Sequence, residues 1–170
     1  MMKHRTRRHL LLVGISVLGL SACGFELRKA PEFAFSSLFT RFPEGSPLGA
    51  EFARAMAAAG TVELITDPKQ LGRAQAILDV LADQREKSVV GQSAAGQVRE
   101  FQLRLRLRFR LRSGAGGELL GETEIVQQRE ISFNETVALA KDAEEGLLYR
   151  DMQSEVVLQL MRRLAAVKSF

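Results

Sequence analysis

The sequence has no tryptophan, one tyrosine (Tyr149), one cysteine (Cys23), two histidines (His4 and His9) and four prolines in 170 residues. A single cysteine forms no disulfide within its own chain. Both histidines fall in residues 1–22, a stretch read below as removed, so the rest of the chain has none. That excludes Ser-His-Asp and Cys-His nucleophilic sites and histidine-ligated zinc or iron. No glycine-rich loop joins a strand to a helix, because the glycines of 114–117 lie between two strand-like runs. A carboxylate-pair glycosidase needs only acids, and there are 20. It would also need a deep acidic cleft and aromatic platforms for sugar, and this chain announces neither. The residues argue against an enzyme.

The longest apolar run, Leu10–Leu20, is eleven residues, well short of the roughly 20 that span a bilayer as a helix. Preceded by Lys3, Arg5, Arg7 and Arg8, it has the form of an export signal. It ends in Leu20-Ser21-Ala22-Cys23, which resembles the bacterial lipobox. In signals of that kind the cysteine is diacylated on sulfur, becomes the first residue after cleavage and is acylated on its amine. The competing reading is an ordinary export signal with an incidental cysteine. Gly24, where an aspartate would signal the inner membrane, resembles the outer-membrane pattern. The expected organisation is a signal peptide at 1–22, a lipidated tether at 23–32 and one α+β domain at 33–170, with covalent lipid on Cys23 and no other cofactor.

Residues 1–22 hold four of the 24 Lys+Arg and no acid, which leaves 20 cations against 20 Asp+Glu and a net charge of zero. The pI of 9.6 therefore belongs largely to the signal and is no argument for nucleic-acid binding. The remaining 148 residues suffice for one domain with one core.

What the chain does have is a long alternation. Phe101, Leu103, Leu105, Leu107, Phe109 and Leu111 take one parity; Gln102, Arg104, Arg106, Arg108, Arg110 and Arg112 take the other. A period of two puts the apolar set on one face of a strand and five arginines on the opposite face. Around it, Phe33–Phe42 reads as a first strand with Phe33, Phe35 and Phe39 on one parity. Ser46-Pro47 reads as N-cap and N1 of a helix carrying Leu48, Phe52, Met56 and Ala59, closed by Gly60. Thr61–Thr66 reads as a short strand, parallel to the first through the helical crossover. Residues 69–74 read as loop. Ala76–Ala82, continuing towards Val90, the arginine strand and Leu119–Phe133 form an antiparallel meander joined at 91–97 and 113–117. Asp142 and Glu145 fit a capping box before a last helix whose apolar face is Leu148, Met152, Val156, Leu160, Leu164 and Val167. Leu147, Leu158 and Met161 are expected on its outer side. The fold class is α+β, with two helices on one face of a mixed, largely antiparallel four- or five-stranded sheet.

With the lipobox, the Cys23-Gly24-Phe25-Glu26-Leu27-Arg28 start, and Ala138-Leu139-Ala140-Lys141-Asp142, Glu144, Met152, Gln159-Leu160 and Arg162-Arg163-Leu164 in hand, the chain resembles the LPS-assembly lipoprotein LptE family. The resemblance implies an outer-membrane lipoprotein on the periplasmic side that plugs the LptD β-barrel, helps it assemble and binds lipopolysaccharide bound for the outer leaflet. It implies lipopolysaccharide binding by Lys141. The family's arginine near the hairpin before its long strand has no counterpart in Val89-Val90-Gly91-Gln92, so Lys87 or the arginine ladder stands in for it.

Two readings of the ladder stay open. Glu118, Glu122 and Glu124 on the next strand can neutralise it, each cross-strand pair contributing roughly 0.2–1 kcal/mol. Three glutamates cannot satisfy five arginines, so at least two cations should remain for phosphates, which guanidinium forks suit. Arg104, Arg106, Arg108 and Lys141 are the candidate lipopolysaccharide-binding residues. The expected partners are an LptD-type barrel, lipopolysaccharide and the membrane through the anchor, with no nucleic acid. The alternative function is a structural periplasmic lipoprotein that scaffolds other envelope proteins without a lipopolysaccharide site.

Overall fold

The computed structural model describes residues 31–134, 136 and 138–168. The stretch expected to be an export signal, Cys23 and the expected tether up to Ala30 lie outside the described residues. The elements are β1 (Ser37–Thr40), α1 (Pro47–Ala59), β2 (Glu63–Ile65), a 3-10 helix (Pro68–Arg73), β3 (Ala76–Gln92), β4 (Val98–Ser113), β5 (Glu118–Ser132) and α2 (Ala138–Ala165). The five strands make one sheet in the order β2-β1-β3-β4-β5. β1 is parallel to both its neighbours, and β3, β4 and β5 form the antiparallel meander. Both helices add to the core on one face, as the alternation requires.

That alternation decides the layering. Leu103, Leu105, Leu107, Phe109 and Leu111 are all completely buried, and the arginines between them point to the uncovered face. Over the leucine row lies α2, with Met152, Val156, Leu160 and Leu164 fully buried. From α1, Leu48, Phe52 and Met56 join the same core. The ends of α1 are set locally: Ser46 Oγ accepts from the Gly49 N–H at 2.9 Å, and Gly60 takes φ 68° while donating to the Met56 carbonyl.

Four expectations are corrected. The first strand begins only at Ser37, because the backbone bends at Ala34 and Ser36. Those bends reset the parity, so Phe33 and Phe35 pack with the main core while Phe39 faces the other way, against Ile65, Ala74 and Ile77. Pro68–Arg73 is a 3-10 helix rather than loop, started by Asp67 Oδ1 accepting from the Lys69 N–H at 2.9 Å. α2 begins at Ala138, upstream of Asp142, because Ala138, Leu139 and Ala140 are strong helix formers that carry the helix through the expected cap. Finally, Met161 is buried and Leu158 half-buried; only Leu147 is exposed. α2 lies over both β4 and β5, so its buried stripe widens to take in Tyr149, Gln153, Val157 and Met161.

One irregularity matters for the site. β3 has a bulge between Val80 and Ala82, and the extra residue exchanges its two faces. Upstream, Asp79 is paired with Arg110; downstream, Ala82, Gln84 and Glu86 are paired with Arg108, Arg106 and Arg104. Asp79 and Glu86 differ in parity, yet both reach the arginine face. Arg85 and Lys87 are turned under α2 instead.

Candidate anion-binding face

β4 is held between β3 and β5, so its five arginines stand in a row on an interior strand, hydrogen-bonded on both sides. Each has a carboxylate within 4.0 Å. Arg110 and Arg112 both donate through Nε to Asp79 Oδ2 at 2.9 Å. Burial pushes the Asp79 carboxyl up, but the hydrogen bonds and charges of Arg112 and Arg110 outweigh it and hold the group below the ordinary carboxylate range.

The other three are paired loosely. Arg104 Nη1 is 3.7 Å from Glu86 Oε2, and Arg106 lies 4.0 Å from Glu86 Oε1 and 3.4 Å from Glu124 Oε1. Arg108 Nη1 is 3.4 Å from Glu122 Oε1. Nε of Arg104 and Nε of Arg106 are buried and make no hydrogen bond. The carboxylates opposite them are 43–57% exposed. Exposed pairs of this kind are worth about 0–1 kcal/mol, so an incoming anion displaces them at small cost. The row is thus divided into a tight end at Asp79 and an exchangeable end at Arg104, Arg106 and Arg108.

The neutralising set differs from the expected one. Glu122 and Glu124 do face the arginines, whereas Glu118 is the register partner of Arg112 without forming an ion pair. Asp79 and Glu86 on β3 supply the rest, so none of the five arginines is left without a carboxylate nearby. The acids of β3 escaped the sequence reading because a bulge has no clear signature in a run such as Val80-Leu81-Ala82.

Lys141 is the fourth residue of α2, not a residue before it. Its ammonium donates to Ser132 Oγ at 3.1 Å and to Glu144 Oε2 at 2.8 Å. Ser132 is the register partner of Glu100, so Lys141 sits at the end of the sheet, on the rim of the arginine face. Four residues along β5, Gln128 is the register partner of Arg104; at about 3.3 Å per residue the two positions are roughly 13 Å apart. Lys87 is not part of this face. It lies on the helix side, 2.6 Å from Glu145 Oε2 and 4.3 Å from the Phe101 ring centroid. A separate apolar cavity of about 380 Å³ opens between α1 and the segment before it, lined by Phe42, Pro43, Phe52 and Leu64. It includes none of the candidate residues.

The fold that carries this face, a small sheet with two helices on one side, is shared with solved bacterial lipoproteins. Lipoprotein B from Nitrosomonas europaea is 32% identical, with a TM-score of 0.71 over 84% of this chain and 91% of that one. The minor lipoprotein of Acinetobacter baumannii shares the fold at 18% identity and a TM-score of 0.62, over 79% and 94% of the two chains. The LPS-assembly lipoprotein LptE of Pectobacterium atrosepticum is 25% identical over 165 residues, 96% of this chain and 88% of that protein. Residues 36–164 match the family model LptE, described as lipopolysaccharide-assembly. The chain belongs to the LptE family.

Proposed function

We propose that this chain is an outer-membrane lipoprotein, anchored on the periplasmic side through acylated Cys23, that plugs and helps assemble an LptD-type β-barrel and binds lipopolysaccharide in transit. Family membership supports the role. The observation that carries the binding half is the exchangeable end of the ladder: three guanidiniums on an interior strand, each opposite a solvent-exposed carboxylate at 3.4–4.0 Å. Phosphates compete well for such forks because they accept bidentate, charge-assisted bonds. Lys141 supplies a further cation at the end of the same face.

Two experiments test this. The tagged, acylated protein is pulled from outer membranes and its companions identified; a large β-barrel in near one-to-one amount is expected. Recovery of the lipoprotein alone, at full expression and acylation, sinks the plug role and leaves the scaffold reading. Separately, Lys141→Glu and the double change Arg106→Glu/Arg108→Glu should each weaken lipopolysaccharide binding roughly tenfold or more, about 1.4 kcal/mol per decade. Unchanged affinity with a lowered melting temperature makes those residues structural.

A further inference from the structure

We infer that the outer edge of β5 is a strand-addition site for an extended segment of another protein, kept closed in the free chain by two arginines. β5 is the last strand of the sheet and is 15 residues long. The Phe133 N–H donates to the Arg99 carbonyl. In an antiparallel ladder this alternation makes the odd-numbered residues of β5 pair with β4. The N–H and C=O groups of Glu124, Val126, Gln128 and Glu130 therefore point away from the sheet. An edge of this length is a template for another strand.

The edge is latched at two of those carbonyls. Arg163 of α2 donates from Nη1 to the Glu124 carbonyl at 3.2 Å. Arg129 donates from Nη1 to the Gln128 carbonyl at 2.9 Å, and Glu155 of α2 holds the same guanidinium through Nη2 at 2.9 Å. Between the two latches lies Val126, whose side chain is 40% exposed. Beyond Arg163 the edge runs into a recess of about 350 Å³ between the start of β5 and the end of α2, lined by Glu118, Leu119, Leu120, Arg163, Val167 and Lys168. A segment lying antiparallel to β5 would bring its C-terminal end there, with room for one apolar side chain and two cations, Arg163 and Lys168, against the one acid Glu118.

Charge selects the occupant. The outward-pointing residues place Glu124 and Glu130 on the arginine face, in line with Glu122. A second copy pairing antiparallel through β5 would set these acids opposite one another, which is unfavourable. A foreign segment with cations at alternate positions meets them favourably. The partner is thus an extended peptide with alternate basic and β-branched residues and an apolar, C-terminal end. The edge shares Glu124 with the arginine face, where that carboxylate lies 3.4 Å from Arg106, but the inference does not require that lipopolysaccharide binds there.

The test uses an eight-residue peptide of alternating Lys and Val ending in Leu, and the same peptide N-methylated at alternate residues. Expected is a slowing of amide exchange at Glu124, Val126 and Gln128 by the first peptide and no slowing by the second. The double variant Arg129→Ala/Arg163→Ala should bind the first peptide about tenfold more tightly. No slowing of exchange, or equal binding of the N-methylated peptide, overturns the proposal. A concentration-dependent dimer of the double variant, without peptide, would assign the edge to a second copy and overturn it as well.

Discussion

Asp79 gathers two guanidiniums with one carboxylate, and at 23% side-chain exposure it does so largely out of water. Its folded-state pKa lies below the unfolded one. The stability it contributes is therefore complete above the unfolded value, about 3.9, and is lost as pH falls through the lower folded value. Asp79→Asn should cost roughly 1.5–3 kcal/mol near neutral pH, the range for hydrogen bonds to charged groups. The gap between variant and parent in urea unfolding should then shrink below about pH 4. A gap that stays constant across that range would show the carboxylate charge to be irrelevant. Gly114 is another residue with little latitude. A Cβ there would stand 2.3 Å from the Ala74 carbonyl oxygen, a backbone atom that cannot rotate aside. Gly114→Ala should lower stability by roughly 1–3 kcal/mol, read as a drop in the urea midpoint. An unchanged midpoint would mean that the β4–β5 turn moves freely.

Among the elements, α2 offers the sharpest contrast between a side chain that packs and one that does not. Met161→Ala should cost roughly 2–5 kcal/mol, and Leu147→Ala no more than about 0.5 kcal/mol; equal losses would contradict the placement of the helix. The same helix shows what sequence periodicity can and cannot deliver. The 148-152-156-160-164 stripe is legible because a period near 3.6 is an intrinsic property of the helix. How wide the buried stripe becomes is not legible, since it depends on how many strands lie beneath. β4 was readable almost residue by residue, its parity being enforced by a dry face and a wet one. β3 was not, because its bulge converts one parity into the other halfway along. The candidate site inherits both outcomes: the arginines are legible from β4, whereas two of their four carboxylate partners, Asp79 and Glu86, depend on β3.

At the scale of the whole molecule, α2 and the meander share one core with α1 and β1, so the described domain should unfold in a single transition. Tyr149, the sole tyrosine in a chain without tryptophan, is buried in α2 and donates its hydroxyl to the Glu86 carbonyl at 2.8 Å. Its fluorescence and the far-ultraviolet circular dichroism should trace the same urea curve. An earlier fluorescence transition would reveal a helix that peels from the sheet before the rest gives way.

The position of α2 in the chain has a bearing on biogenesis. A polypeptide threaded through a membrane from its N-terminus delivers β3, β4 and β5 first, and these pair locally through two tight hairpins. Most of their leucine row has no cover until Ala138–Ala165 has followed, since α1, delivered earlier, brings only Leu48, Phe52 and Met56 to the same core. For that interval the nascent chain displays a sticky apolar slab, so a passenger stalled after Asn134 should depend on a holding chaperone and aggregate without one.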